Sequence, residues 1–289
     1  MKRLTLSAPA KINLTLDVVG KREDEYHLIR TVMQTITLSD TVTVTRVDEP
    51  GIFLRLSDKE LPTDRRNTAY AAAKAFWNAL PEAERIGGLD IYIDKKIPQQ
   101  AGLAGGSADA AAVLRGCNRL WDDPFSTEAL CAFAVSIGAD VPFCVKGGAA
   151  LATGIGEVLE PVKSLPDDLF VVVCKPSVSV STAEAYKAVD TFTGERKLSD
   201  EVGMIAALEA GDVAAVGEKM YNVFEDVLGL SEVTAICEKM REFAPYGCQM
   251  SGSGSAVFAL FKNETDARAC REALRDFGAV YLCRPLSNE

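Results

Sequence analysis

A run of small residues between Pro98 and Ala108 has the composition of a phosphate-binding loop. It reads PQQAGLAGGSA, follows a segment of alternating apolar residues and precedes a helical pattern. Glycines let the backbone turn sharply and approach a ligand closely, and the start of a helix offers N–H groups and a positive dipole end to an anion. The spacing fits neither the P-loop nor the dinucleotide-binding pattern, so a tight turn without a ligand is the alternative.

A second small-residue run, MSGSGS from Met250 to Ser255, stands directly before a strand-like segment. Glycine at two of these positions suits a backbone that lines a phosphate or a substrate. A plain turn is the alternative interpretation.

Lys11 and Asp140 are charged residues whose surroundings suit the transfer of a phosphoryl group. Lys11 stands among apolar neighbours in APAKIN, where a cation would lower the effective pKa of a hydroxyl and stabilise developing negative charge. Asp140 follows a predicted helix in GADVP and could accept or orient a hydroxyl proton. The alternatives are a solvated lysine on a strand and an aspartate that stabilises a turn.

The single histidine of the sequence, His27, directly follows Tyr26. One histidine cannot build a metal site by itself, and no local Cys–His pattern accompanies it. His27 could therefore be a surface or structural residue, or it could contact a ligand. The sequence identifies no metal ligand.

Hydrophobic periodicity predicts the elements that would position these residues. The predicted strands cover residues 31–38 and 41–47, joined as a hairpin by Ser39-Asp40, then 89–93, 170–174, 255–261 and the vicinity of Val280. The predicted helices cover residues 67–80, 107–121 with Ser107 as N-cap, 126–137, a segment opened by a capping box at Ser181 and Glu184, and a segment ending at Asp276. Because strands and helices mix without strict alternation, we expect an α+β fold. A change in composition predicts two domains, residues 1–162 and 163–289.

Composition narrows the class of protein. The 289 residues are 48% hydrophobic and carry a formal net charge of −10, which argues against nucleic acid as a partner. No run approaches the ~18 apolar residues of a membrane span. The eight cysteines form no CxxC pair and lie mostly in apolar stretches, which favours reduced thiols and a cytoplasmic location.

Three motifs in this order resemble the galactokinase, homoserine kinase, mevalonate kinase and phosphomevalonate kinase superfamily: APAKINL at the N-terminus, the glycine-rich run and the second small-residue run. Within this superfamily, the chain is most similar to the family that phosphorylates 4-diphosphocytidyl-2-C-methyl-D-erythritol in non-mevalonate isoprenoid biosynthesis. The motifs that carry this closer resemblance are VGKR from Val19, Tyr26-His27, GADVP, and GIGE from Gly154. The resemblance spans essentially the whole chain. It implies a two-domain kinase with a ribosomal-protein-S5-like N-terminal domain and a ferredoxin-like C-terminal domain, which uses ATP and Mg²⁺.

The resemblance also implies roles for individual residues. Lys11 and Asp140 would form the catalytic pair that acts on the 2-hydroxyl of the substrate. The residues expected to bind ATP are Asn67, Lys95, Lys96, Pro98, Gln99, Gln100, Ala101, Gly102, Leu103, Ala104, Gly105, Gly106, Ser107 and Ala108. The residues expected to bind the cytidine and erythritol ends are Asn13, Tyr26, His27, Thr182 and Tyr186.

This chain departs from the family pattern at three positions, with Ala104 and Glu25 where glycine is usual and Ala108 where serine is usual. Three other functions stay open. A sister kinase for mevalonate or homoserine would not need Tyr26-His27, which suits a cytosine ring. A non-catalytic nucleotide-binding protein would bind without turnover, and a nucleic-acid-binding protein would need a basic surface.

Overall fold

The computed structural model describes residues 2–287, and their contacts divide the chain into two compact units. The first unit comprises Met1–Ala10, Ser39–Ile97 and Ala104–Lys146. The second comprises Lys11–Leu38, Pro98–Leu103 and Gly147–Glu289. The two units therefore interleave along the chain. Two long strands, β1 (Arg3–Lys21) and β2 (His27–Val47), contribute residues to both.

The first unit packs helices with the strand order β3-β4-β2-β1. β4 pairs antiparallel with β2 and parallel with β3. Its further elements are β3 (Gly51–Leu56), α1 (Thr68–Ala79), a 3₁₀ turn (Glu82–Glu84), β4 (Gly88–Asp94), α2 (Gly105–Leu120), α3 (Thr127–Val135) and α4 (Val141–Lys146).

The α1 helix illustrates why these elements form. The side chain of Asn67 accepts a hydrogen bond from the backbone N–H of Ala69 and so caps the helix. Ala69, Ala72, Ala73 and Phe76 recur at helical spacing and are buried, which gives the helix one apolar face toward the core.

The second unit contains an antiparallel sheet of order β11-β7-β10-β9. In this unit β5 pairs with β2 and β6, and β8 pairs with β1. Its further elements are β5 (Ala149–Thr153), β6 (Val158–Pro161), β7 (Phe170–Lys175), α5 (Thr182–Thr191), α6 (Glu201–Ala210), α7 (Val213–Lys219), β8 (Tyr221–Asn222), α8 (Val223–Leu228), α9 (Ser231–Arg241), β9 (Gly247–Met250), β10 (Val257–Phe261), α10 (Glu264–Ala273) and β11 (Ala279–Cys283). Val172 and Phe261 from the sheet and Ile236 and Met240 from α9 belong to its core.

Two sequence predictions about local structure are wrong. Ser39-Asp40 is no turn, because β2 runs through it: the buried Asp40 carboxylate accepts the backbone N–H groups of Lys96 and Ile97 from within the strand. Helix α2 begins at Gly105 rather than after an N-cap at Ser107. The remaining predicted helices and strands form, including the capping box of Ser181 with Glu184. The mixed architecture confirms the predicted α+β class.

Within residues 2–287, the structure contains no helix that is both long enough and apolar enough to cross a membrane.

Candidate active site

Helix α2 opens directly from the glycine-rich run and presents an uncapped N-terminus. Ala104, the N-cap residue, has a left-handed backbone with φ 57° and supplies no side-chain hydrogen bond to the helix. The first N–H groups of an α-helix have no partner within the helix, and together with the helix dipole they attract an anion. Residues 105–107 therefore fit a phosphate group.

The two glycines that begin α2 lie in tight surroundings. A Cβ on Gly105 would lie 3.0 Å from a methyl carbon of Ile97, and one on Gly106 would lie 3.2 Å from the Thr68 hydroxyl oxygen. That hydroxyl donates a 2.7 Å hydrogen bond to the carbonyl of Gly106. A side chain at either position would therefore press on a neighbouring side chain. The expected ATP residue Asn67 is the N-cap of α1, the helix that carries Thr68.

A buried triad of charges stands behind the first turns of α2. The Lys95 ammonium lies 2.5 Å from a carboxylate oxygen of Asp40 and 2.6 Å from one of Asp109. Two carboxylates share one cation, and burial raises the pKa of Asp109 to about 7, so a proton on Asp109 leaves the triad neutral. A contact between Lys95 and ATP, as the sequence predicts, would have to compete with these two ion pairs. Lys96, the other lysine expected to bind ATP, is exposed.

Lys11 is buried at the start of the second unit, and its ammonium donates to a strand side chain and to the backbone of the glycine-rich run. Its Nζ donates to Asn13 Oδ1 at 2.7 Å and to the carbonyl of Gly102 at 2.8 Å. Asn13 in turn donates to the Thr31 hydroxyl at 2.7 Å. A Cβ on Gly252 would lie 3.2 Å from the same ammonium. Lys11 is therefore no solvated strand lysine: its charge is fixed beside two glycine-containing loops.

The second small-residue run is anchored against the glycine-rich run. The Ser251 hydroxyl donates to the carbonyl of Gly102 at 3.1 Å, and Asn222 donates to the carbonyls of Met250 and Gly252 at 2.7 and 2.9 Å. Gly102 has a φ of 72°, and a Cβ there would lie only 1.9 Å from the Ser251 carbonyl oxygen. Close backbone approach explains the glycine, because any side chain would separate the two runs.

His27 and Tyr186 form a stacked aromatic pair with ring centroids 4.5 Å apart and an interplanar angle of 15°. His27 Nε2 lies 2.7 Å from a carboxylate oxygen of Asp190, and hydrogen bonds from His27 and Lys21 lower the pKa of Asp190. An ionised carboxylate only accepts hydrogen bonds. His27 Nε2 must therefore carry the proton, and in the neutral ring Nδ1 is an acceptor.

The structure places the other predicted site residues as follows. Tyr26 is 59% exposed beside His27 in the connection between β1 and β2. The Thr182 hydroxyl lies 3.3 Å from that of Ser253. Asp140 lies in the first unit immediately before α4, and its carbonyl accepts a hydrogen bond from Cys144. Lys11 lies in the second unit, so the roles of Lys11 and Asp140 as a catalytic pair stay a prediction.

Sequence reasoning missed the residues that hold the candidate side chains in place: Asp190, Asn222, Asp40 and Asp109. Asp190 carries a usable signal, because it follows Tyr186 by four residues on α5 and such pairs share one face of a helix. Asp40 carries none, since its partners at residues 95–97 are distant in the sequence.

No group of three or more His, Cys, Asp or Glu side chains that could hold a metal ion occurs among residues 2–287. The Mg²⁺ that the family resemblance implies does not need such a group, because Mg²⁺ commonly binds through substrate phosphates, waters and one or two carboxylates.

Comparison with known proteins places these features in a family. The model of the GHMP kinases N terminal domain matches residues 67–148, and that of the GHMP kinases C terminal matches residues 204–280. The two matches lie on either side of residue 162, and the division into domains at that residue stays a prediction.

Relatives extend the similarity to nearly the full length. A 4-diphosphocytidyl-2-C-methyl-D-erythritol kinase from Clostridioides difficile (strain 630) is 41% identical over 285 residues, which cover 98% of this chain and 95% of the relative. One from Bacillus licheniformis is 43% identical over 293 residues, with 99% and 98% covered.

Solved structures agree. A crystal structure of 4-(cytidine 5'-diphospho)-2C-methyl-D-erythritol kinase has a TM-score of 0.83 and 34% identity, with 99% of this chain and 100% of that chain covered. The mevalonate kinase of Methanococcus jannaschii, at 16% identity and a TM-score of 0.75 with 99% of each chain covered, shares the fold alone. The chain therefore belongs to the 4-diphosphocytidyl-2-C-methyl-D-erythritol kinase family of the GHMP kinases.

Proposed function

We propose that this chain transfers the γ-phosphoryl group of ATP to the 2-hydroxyl of 4-diphosphocytidyl-2-C-methyl-D-erythritol. The observation that carries the proposal is the His27–Tyr186–Asp190 arrangement, which supplies an aromatic pair and a fixed acceptor for a base. It occurs in a chain whose near full-length relatives bear the name of that kinase.

The ATP side of the reaction rests on the glycine-rich run. The uncapped start of α2 supports binding of the phosphates through backbone N–H groups. Mg²⁺ bound with the nucleotide would neutralise negative charge on the phosphates. The protein's own task is then to position the phosphates at the start of α2.

The acceptor side rests on Lys11 and Asp140. The Lys11 ammonium is fixed by Asn13 and Gly102, and a fixed positive charge stabilises an alkoxide as it forms. Asp140, by the family resemblance, accepts the proton of the 2-hydroxyl or orients that hydroxyl. Phosphoryl transfer needs little more from the protein than positioning and charge stabilisation.

The base-binding role of His27 follows from its tautomer. With Nε2–H donated to Asp190, Nδ1 can accept a hydrogen bond from the amino group of cytosine. Uracil presents a carbonyl oxygen at the same position, which is also an acceptor. The arrangement therefore favours a cytidylyl over a uridylyl substrate, and it favours this substrate over mevalonate or homoserine, which have no base. We also propose a cytoplasmic location, because the eight cysteines are free thiols, as is usual in a reducing compartment.

A substrate panel tests the proposal. Purified protein with ATP and Mg²⁺ should form ADP rapidly with the cytidylyl substrate, slowly with its uridylyl analogue and least with mevalonate or homoserine. Preference for either small acid would refute the substrate assignment.

A variant tests the acceptor side separately. Asp140→Asn should lower kcat by ~10² or more, as expected on loss of a general base, while the KM for ATP stays nearly constant. Near-normal turnover in a folded Asp140→Asn protein would leave this aspartate as a turn residue.

A further inference from the structure

Lys175, the last residue of β7, is a buried lysine that the proposed chemistry does not use. It is only 8% exposed, and no carboxylate forms an ion pair with it among the residues that the structure describes. Burial lowers the pKa of its amine. Lysine is rarely buried without a charged partner because desolvating an ammonium is costly, so its retention here calls for a role.

The Lys175 ammonium is fully occupied with backbone and hydroxyl acceptors of the next four residues. Nζ donates to the carbonyls of Pro176 and Val178 at 2.8 and 2.9 Å, and to the Ser179 hydroxyl at 3.3 Å. These three bonds match the three N–H donors of an ammonium. Lys175 therefore fixes the path of the chain after β7 rather than offering a donor to a ligand.

The segment that Lys175 holds, residues 176–181, connects β7 to α5, and we call it the β7–α5 segment. It is also held by the second small-residue run, because the Ser255 hydroxyl donates to the Val178 carbonyl. At the start of α5 the Thr182 hydroxyl lies 3.3 Å from that of Ser253. The Val178 carbonyl thus accepts from both Lys175 and the run.

Helix α5, which begins where this segment ends, carries both residues that hold His27. Tyr186 stacks on the imidazole and packs edge-on against Phe224, with centroids 5.1 Å apart. Asp190 accepts from His27 Nε2 one turn later. A shift at the start of α5 would consequently move the aromatic pair and the group that fixes the tautomer together.

We infer that Lys175 is a positioning residue for the nucleobase end of the substrate, acting through the β7–α5 segment on Tyr186, Asp190 and His27. The inference rests on the proposed function for the identity of the base. A purely structural lysine would affect stability alone, or affect both substrates equally. A positioning role affects the cytidylyl substrate and spares ATP.

Lys175→Met, which keeps an unbranched side chain as far as Cε and removes the charge and the donors of Nζ, tests the inference. Losing hydrogen bonds from a charged donor should raise the KM for the cytidylyl substrate by about tenfold or more, with the KM for ATP changed less than about twofold. Lys262→Met is the matched control, because Lys262 follows the neighbouring strand β10 and is exposed. Both constants should stay at wild-type values in the control.

Hydrogen–deuterium exchange supplies a readout that needs no turnover. Amides of residues 177–191 should exchange faster in Lys175→Met than in wild type or in Lys262→Met, while those of α9 stay unchanged. Wild-type protein that exchanges as expected but does not turn over the cytidylyl substrate would refute the proposed function. In that case, calorimetric titration of wild type and Lys175→Met with cytidine 5'-diphosphate would measure the predicted loss of base affinity in the variant.

Two results would overturn the inference: an unchanged KM for the cytidylyl substrate, or equal rises in the KM for both substrates. If Lys175→Met does not fold, Lys175→Gln takes its place, because its amide keeps two N–H donors for the two carbonyls. The same split between the two KM values, smaller in size, is then required.

Discussion

Gly102→Ala is the substitution that most directly probes how the close approach of the two small-residue runs positions the Gly102 carbonyl that binds Lys11. Gly102 has a left-handed φ of 72°, and an added Cβ would lie 1.9 Å from the Ser251 carbonyl oxygen. The obstacle is backbone, so it cannot rotate away as a flexible side chain would. The carbonyl of Gly102 accepts hydrogen bonds from Lys11 and Ser251, and any separation of the runs displaces both donors.

The cost of Gly102→Ala has two parts. A left-handed backbone costs an alanine about 1–2 kcal/mol relative to glycine, and overpacking against fixed backbone adds about 1–3 kcal/mol. The free energy of unfolding should therefore fall by roughly 2–5 kcal/mol. Because a displacement near 1 Å can cost up to about 100-fold in rate, kcat should fall by roughly 10- to 100-fold through the shift of Lys11.

Gly211→Ala is the matched control. Gly211 caps α6 with a φ of 69°, and an added Cβ there would meet nothing within 4 Å among the described residues. It carries the backbone cost of about 1–2 kcal/mol without the clash and should leave kcat unchanged. Urea unfolding and steady-state kinetics on both variants check these expectations. If Gly102→Ala matches Gly211→Ala in both stability and kcat, the close approach of the two runs does not position Lys11.

Three further predictions concern the residues around the site. Ala104→Gly should raise the unfolding free energy by up to about 1 kcal/mol, measured by urea unfolding, since it relieves a left-handed alanine with φ 57°; a loss of stability would show that the methyl group packs favourably. In the folded protein the pKa of Asp109 is about 7, against an ordinary value of 3.8. The folded state therefore binds a proton that the unfolded state loses, so the unfolding free energy should fall as pH rises from 3.8 to about 7, and Asp109→Asn should flatten that fall. Identical slopes of unfolding free energy against pH for both proteins would contradict the assignment of the proton. Asp190→Asn should narrow the preference for the cytidylyl over the uridylyl substrate, because an amide can pair with either His27 tautomer; an unchanged ratio of kcat/KM values would separate the tautomer from base selection.

Local pattern was sufficient to predict much of the fold. The cap and apolar stripe of α1 and the capping box of α5 depend on residues within one or two turns, and both form as expected. The prediction of a turn at Ser39-Asp40 is wrong because the residues that bind the Asp40 carboxylate lie more than fifty positions away in the sequence. Turn-forming residue types are a local preference, which tertiary contacts can override.

In the candidate site too, some residues could be predicted from local sequence and others could not. Lys11, the glycine-rich run and His27 could be named as candidates from their residue types and order, and their roles stay predictions. The structure adds how Lys11 and His27 are held. The role of Asp190 could have been predicted from its spacing of four residues from Tyr186 on α5. Lys175 was not, because nothing in the sequence around it distinguishes a buried lysine from an exposed one at the end of a strand.

The position of the transferred phosphate is the measurement that tests the central claim most directly. Phosphorus NMR of a reaction with ATP, Mg²⁺ and 4-diphosphocytidyl-2-C-methyl-D-erythritol should show a new phosphomonoester resonance coupled to the 2-position of the erythritol, in equal amount to the ADP formed, with the two diphosphate resonances of the substrate retained. ADP that accumulates with inorganic phosphate alone, or a phosphomonoester at another hydroxyl, would contradict the proposed kinase activity.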